Sequence, residues 1–177
     1  SIVSESTYGV LSGGRTYNIT FYKNMFAHNQ ERNIRNNYPL DNELAFEMIN
    51  NLVFGCLNGT QMSFGAKFTV INNDYKRSSE QILYPNVVGG TTAGQGTPAN
   101  TYAFIENNIV PNGTNEISAN LIQYLETTPF ANSGIVPIPA NQVANSIMSD
   151  VGCSLPNRDA VDIRLINQYN TNTGSVA

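Results

Sequence analysis

Four segments of the chain repeat one arrangement of apolar and polar residues. Each has an aromatic residue, a short alternating or apolar run and one or two asparagines, followed by an apolar pair in three segments and by Asp74-Tyr75 in the other. The segments are 21–26, 46–53, 68–75 and 104–110. Their last asparagines are Asn24, Asn51, Asn73 and Asn108, with steps of 27, 22 and 35 residues. A short period of this kind predicts stacked repeats, each formed by one circuit of the chain.

The repeat predicts an all-β fold, a parallel β-helix of about four coils. Stacked coils place their strands ~4.8 Å apart. Asparagine tolerates the left-handed backbone of a sharp turn, and asparagines at the same turn can hydrogen-bond along the stack. The longer third step predicts a loop at the glycine-rich residues 89–98. An antiparallel sandwich is the alternative, but only Asn58-Gly59 and Asn112-Gly113 suit its hairpins.

The pattern changes after about residue 115. We expect residues 1–115 to form the coils and residues 116–177 to form a C-terminal tail with capping helices, in a single domain that lacks an upstream segment. Apolar residues at helical spacing predict a helix over 141–151. A second helix should follow, with Asp159 as its N-cap and Asp162 three residues on. Two helices after a stack of coils predict a cap over the exposed strand edges at its end.

Composition narrows the possible classes of function. The net charge is −4 and the sequence pI about 4.8, so a nucleic-acid partner is not expected. No apolar run approaches the ~20 residues of a membrane span, so no membrane partner is expected. Cys56 and Cys153 are expected to be buried free thiols, with a disulfide left open. His28 is the sole histidine, which excludes a histidine-based triad within this chain.

Several segments together resemble one family. Residues 151–164 resemble the C-terminal segment of the pectate lyases of the large polysaccharide lyase family, and residues 172–175 are similar to its terminal stretch. Residues 18–29 look like a strand and turn of that family, and residues 46–55 are similar to its following coil. Residues 30–35 stand where the family carries its R-x-P-R signature.

This resemblance implies a right-handed parallel β-helix and calcium-assisted β-elimination of an acidic polysaccharide. Arg32 matches the arginine that the family uses as its base. Because arginine is a poor base in water, that role requires an unusual environment or a hydroxide held beside the side chain. Arg35 would bind a substrate carboxylate through its forked donors. Lys23 stands where the family has a histidine, so it is either a substrate-binding residue or an outward surface lysine.

Three departures from the family leave a second interpretation open. Ile34 replaces the proline of the signature, the family's lysine is missing between residues 6 and 14, and the paired histidines are replaced. Calcium ligands of the family would lie largely before Ser1, and Asp41 and Glu43 are a further acidic pair. The alternative is a non-catalytic glycan-binding or structural β-helix, such as a phage tailspike or surface fibre module. Both interpretations predict an extracellular protein that is secreted or lies on a cell surface or virion. An upstream chain segment or a homotrimer is left open as a partner.

Overall fold

Short parallel strands are the main secondary structure of the described part of the chain. The computed structural model describes residues 1–13, 16–37, 45–81, 86–91, 98–130 and 133–176. Within these ranges the strands are β1 (Ile2–Ser4), β2 (Leu11–Gly13), β3 (Ile19–Tyr22), β4 (Met25–Ala27), β5 (Arg35–Asn37), β6 (Ala45–Ile49), β7 (Leu52–Phe54), β8 (Thr60–Ser63), β9 (Lys67–Ile71), β10 (Asp74–Lys76), β11 (Asn86–Thr91), β12 (Tyr102–Glu106) and β13 (Asn115–Ile117).

Helices are few and lie mostly near the C-terminus. The α-helices are α1 (Val143–Ile147) and α2 (Ala160–Thr171), and 3-10 helices span Pro98–Asn100, Ala119–Tyr124 and Ala140–Gln142. None of the helices within the described ranges is long and apolar enough to cross a membrane. Residues 89–91 of the expected loop belong to β11, and residues 92–97 lie outside the described part of the chain.

The strands form three parallel sheets, and successive strands pass from one sheet to the next. Sheet A has the order β1-β4-β7-β10, sheet B the order β2-β5-β8-β11-β13 and sheet C the order β3-β6-β9-β12. Every strand pairing in the described ranges is parallel. Each repeat therefore adds one strand to each sheet, and the antiparallel sandwich is wrong.

Like residues meet inside the stack because the strands are in register. Phe46 of β6 pairs with Phe68 of β9, and their rings stack with centroids 6.1 Å apart. Phe26, Val53 and Tyr75 occupy equivalent positions in three neighbouring strands of sheet A, and all three are buried. An aromatic pair of this kind contributes about 1 kcal/mol beyond its buried area.

The four repeated asparagines lie at one corner, as predicted. The side-chain oxygen of Asn51 accepts hydrogen bonds from the backbone and side-chain nitrogens of Asn24, at 2.9 and 3.1 Å. Asn51 and Asn73 donate in the same way to the next asparagine, Asn73 and Asn108 respectively. Glu116 ends the ladder by accepting both bonds from Asn108, at 3.1 and 2.9 Å.

The left-handed residue at this corner precedes each ladder residue. Asn50, Asn72 and Asn107 have φ of 52°, 53° and 58°. Asn50 and Asn72 also hold the tail, because both side chains donate to the Ile138 carbonyl at 2.8 Å. The Ile138 nitrogen donates back to the Asn50 side chain at 2.9 Å. This outer pair of amides therefore fastens the tail against the corner.

The tail also covers the outer face of sheet C. Thr69 of β9 accepts a hydrogen bond from the Phe130 nitrogen at 3.0 Å. Glu47 of β6 accepts one from the Ser133 nitrogen at 3.1 Å, and Thr20 of β3 donates to the same carboxylate oxygen. The tail thus satisfies polar groups on two neighbouring strands, and Glu47 links them to the third.

The helices cover the outer face of sheet A. Met25, Ala27, Leu52 and Phe54 of that face form one buried cluster with Val143, Ile147, Val151 and Leu165. The expectation of helices capping the end of the stack is therefore wrong, since these apolar residues pack on the side of the sheet. The first helix is also shorter than the expected 141–151, because a 3-10 turn precedes α1 and turns follow it.

Two adjacent residues cap the two helices. The Asp159 side chain accepts a hydrogen bond from the Asp162 nitrogen at 2.8 Å, which confirms its predicted role as the N-cap of α2. The Arg158 guanidinium donates to carbonyls just after α1, including that of Ser149 at 2.7 Å. This part of the family-like C-terminal segment therefore has a structural role.

Both cysteines are free thiols, as expected, but only one is buried. Cys56 lies in the core, where burial raises its pKa to about 12, and Cys153 is exposed. The exposed position of Cys153 corrects the expectation that both would be buried.

Candidate functional site

The outer face of sheet B is the candidate site. Helices cover sheet A and the tail covers sheet C, whereas no described segment packs across the whole of sheet B. One row of side chains crosses its outer face in register. The row runs through Leu11, Arg35, Gln61 and Gly89 on β2, β5, β8 and β11. Met62, which follows Gln61, is fully buried, as the alternation of a strand requires.

Arg35 is the charged member of this row, and it is nearly buried. Only 9% of the residue is exposed. The guanidinium has no carboxylate partner within the described ranges, where Arg164–Glu5 is the ion pair present. Its Nε atom is buried without a hydrogen-bond partner there. A buried cation without a partner is unfavourable, so this position favours an anionic ligand.

Gln61 lies beside Arg35 on the next strand and carries the complementary group. Its side-chain oxygen is also buried without a hydrogen-bond partner among the described residues. Arg35 and Gln61 are register partners, so an unpaired donor and an unpaired acceptor lie on adjacent strands. A ligand with a carboxylate and a neighbouring hydroxyl group would satisfy both.

A polar groove continues from Gln61 toward the later strands. It encloses about 530 Å³, and its lining residues include Asn58, Gln61, Asn86, Gly89, Ser118 and Asn120. This groove could not be predicted from the sequence. The sequence feature that indicates the groove is the change from a long side chain at Gln61 to none at Gly89. This change can be recognised only when the strand register is known.

Arg32 lies at the corner between sheets A and B, in the segment that leads into β5. Its guanidinium carbon is 3.9 Å from the centroid of the Tyr8 ring, which fixes the plane of the side chain. The Arg32 carbonyl accepts a hydrogen bond from the Val10 nitrogen at 2.8 Å. Arg32 and Arg35 thus belong to one side of the stack, and Tyr8, which is 49% exposed, adds an aromatic surface there.

The backbone between β4 and β5 is strained. Arg32 and Ile34 have φ of 57° and 67°, in the left-handed region that is strongly disfavoured for a β-branched residue. Proline, with φ fixed near −65°, cannot adopt the backbone of Ile34. The conformation at Ile34 therefore excludes the proline that the resemblance would place there. Strain of this kind tends to concentrate at functional sites.

Lys23 is not brought to this face. It lies between β3 and β4, at the corner where sheet C leads into sheet A, and has φ of 53°. Its ammonium group is 5.4 Å from the Tyr22 ring centroid. The structure therefore separates Lys23 from Arg32 and Arg35, which lie at another corner and sheet.

The described residues do not form a calcium site. No three acidic, histidine or cysteine side chains cluster suitably for a metal within those ranges. Asp41 and Glu43 lie outside the described part of the chain. Because the resemblance expects most of the calcium ligands before Ser1, calcium binding stays a prediction.

No protein-family model matches the chain, and a search of curated proteins found no match.

Proposed function

We propose that this chain is a right-handed parallel β-helix that binds an acidic polysaccharide along the outer face of sheet B. Three parallel sheets that each gain one strand per repeat support the fold. The observation that carries the function is the nearly buried Arg35 guanidinium, which has no carboxylate partner among the described residues. A uronate supplies that anion through its carboxylate and meets Gln61 through a hydroxyl group.

We further propose a pectate-lyase-like reaction at this site. In such a β-elimination a base removes the proton on carbon 5, the electrons form a double bond between carbons 4 and 5, and the bond from carbon 4 to the bridging oxygen breaks. The leaving oxygen then takes up a proton. Arg35 would offset the charge that develops on the carboxylate side of carbon 5. Arg32 is the candidate base, because it lies in the segment leading into β5.

Non-catalytic glycan binding is the second candidate. It is favoured by the conformation of the Arg32 segment, since the left-handed backbone at Ile34 is closed to the proline of the family signature. Stacking of Arg32 on Tyr8 also suits a binding surface, where an aromatic ring and a cation face the ligand together. The two candidates share Arg35 and differ in whether a bond is broken.

Binding and elimination can be tested separately with polygalacturonate. Binding is measured by calorimetry, and elimination by the ultraviolet absorbance of the new double bond, each with and without added calcium. Arg35→Gln should weaken binding at least about tenfold, because a charged hydrogen bond contributes about 1.5–3 kcal/mol. Arg77→Gln, at an exposed position after β10, is the matched control. Equal effects of the two variants would contradict the binding proposal.

Arg32 decides between the two candidates. If it is the base, Arg32→Ala should abolish the absorbance change while the variant keeps its circular dichroism spectrum and still binds the polymer. Elimination that survives in Arg32→Ala would remove this residue from the mechanism. Binding without any elimination by the wild-type chain, with and without calcium, would leave the non-catalytic function.

A further inference from the structure

We infer that the groove beyond Gln61 binds uncharged sugar units, so that the preferred ligand is an acidic polysaccharide whose carboxylates are partly esterified. This inference rests on the proposed function of sheet B and deepens it. The ten described residues that line the groove are amides, hydroxyl residues, glycines and one alanine, and none of these ten is charged. Arg35 is the cation of the outward row, on the strand next to Gln61.

Glycine opens the groove where the row reaches β11. A Cβ atom on Gly89 would lie 2.9 Å from the side-chain nitrogen of Asn86 and would meet no other described atom within 4 Å. The floor of the groove at this point is therefore backbone. Since β5 and β11 are two strands apart in sheet B, the Arg35 and Gly89 positions are about 10 Å apart along the stack.

The far wall of the groove is held in place by its own hydrogen bonds. The Gly90 nitrogen donates to the Ser118 hydroxyl at 2.9 Å, and the Asn120 amide donates to the Gly90 carbonyl at 3.1 Å. The Ser118 hydroxyl in turn donates to the Asn120 side-chain oxygen at 2.6 Å. Because these groups already bond to one another, binding would not have to order them.

The chemistry of this lining separates charged from neutral ligands. Amides and hydroxyl groups can exchange hydrogen bonds with sugar hydroxyls and accept an ester beside them. A carboxylate in the same groove would lose water without gaining a cation, and that desolvation is costly. The polymer that fits both regions therefore presents a free carboxylate at Arg35 and neutral units beyond Gln61.

Two oligogalacturonides of one length test this inference, one fully de-esterified and one partly methyl-esterified. Calorimetry gives the dissociation constant of each, and the measured quantity is their ratio. The wild-type chain should bind the partly esterified oligomer more tightly. Gln61→Lys places a cation at the mouth of the groove and should shift the ratio about fivefold toward the de-esterified oligomer. Gln142→Lys, at an exposed position in the 3-10 helix Ala140–Gln142, is the matched control and should leave the ratio unchanged.

Gly89→Val tests the groove by volume instead of charge. Its side chain would fill the floor, and a Cβ atom there meets only the movable end of Asn86 among the described atoms. Binding of the partly esterified oligomer should fall about tenfold, and circular dichroism checks that each variant is folded. A wild-type preference for the de-esterified oligomer, or identical ratios for all folded variants, would overturn the inference and leave the Arg35 site intact. If the wild-type chain binds neither oligomer, the proposed function is overturned instead.

Discussion

The side-chain oxygen of Asn73 accepts two hydrogen bonds from Asn51, at 2.8 Å from its backbone nitrogen and 3.1 Å from its side-chain nitrogen. The same relationship joins Asn24 to Asn51 and Asn73 to Asn108. Each ladder residue is thus an acceptor for the preceding repeat and a donor to the following one. Only a side chain with both an acceptor and a donor can occupy an inner position.

Asn73→Leu should therefore destabilise the chain strongly. It leaves the Asn51 backbone nitrogen and the Met48 carbonyl without their Asn73 partner, whereas the Asn51 side-chain nitrogen keeps the Phe21 carbonyl. Each unpaired buried group costs about 1–3 kcal/mol. We expect the free energy of unfolding in urea to fall by about 4 kcal/mol. Asn170→Leu, at an exposed position on α2, is the control. Similar losses in the two variants would contradict the role of the ladder.

Asp159 should stabilise the first turn of α2. Asp159→Ala removes the acceptor for the Asp162 nitrogen and should cost about 1 kcal/mol, whereas Asp159→Asn keeps an N-cap side chain. Hydrogen exchange of the first-turn amides should accelerate in the alanine variant alone. Equal exchange in both variants would show that the cap does not limit opening of this helix.

Ile34 should not tolerate the proline of the family signature. Its φ of 67° is outside the range of proline, so Ile34→Pro must move the backbone between Arg32 and β5. Ile34→Ala loses the same buried side chain without fixing φ, and it is the reference. We expect the proline variant to be less stable than the alanine variant by about 3 kcal/mol in urea unfolding. A proline variant of equal or greater stability would show that this segment can adopt the family conformation.

The stability of the chain should fall as His28 is protonated. Burial lowers the pKa of His28 below 6.5, while the charges of Glu5 and Arg164 act on it in opposite directions. As pH falls below about 6.5, the unfolded chain takes up a proton before the folded chain does, so the unfolding free energy decreases. The decrease ends below the folded-state pKa. Because the chain has one histidine, its imidazole resonance can be followed by NMR, and titration at or above 6.5 would contradict this prediction.

The titration of Asp74 should increase the stability of the chain as pH falls, which is opposite to the effect of His28. Burial raises its pKa to about 6, against the smaller effects of Lys76 and the Tyr169 hydroxyl. Between about pH 4 and 6 the folded chain keeps the proton on Asp74, whereas the unfolded chain has lost it. The free energy of unfolding should therefore rise as pH falls through that range. Asp74→Asn should remove that dependence from urea unfolding measured at several pH values. Asp150→Asn, which removes an exposed carboxylate, should retain it.

The sequence predicts the parts of the fold that rest on local repetition. The spacing of Asn51, Asn73 and Asn108 was enough to predict a shared corner, and Asp159 followed from the chemistry of a helix N-terminus. The role of Asn50, the neighbour of Asn51, could not be predicted, because its hydrogen-bond partner is Ile138, 88 residues away. A sequence repeat shows the period of the fold, but it does not show which distant segment covers each face of the stack.

The same limit applies to the helices and to the candidate site. An apolar stripe shows that a helix packs against something, but it does not distinguish the side of a sheet from the end of a stack. Arg35 was selected because of a resemblance, whereas its lack of a carboxylate partner among the described residues is visible only in three dimensions. The positions of Gln61 and Gly89 in one row follow from the strand register, which cannot be read from the sequence.

The C-terminal residues that cover sheets A and C also affect the solubility of the nascent chain. Met25, Leu52 and Phe54 are shielded by residues that leave the ribosome more than a hundred positions after Met25 and about ninety or more after the others. Until then, a nascent chain with its rungs already stacked presents an apolar strip to the surrounding medium. Chaperones that recognise such strips should hold the chain until the final helix emerges, and synthesis that stalls before that point should yield aggregates.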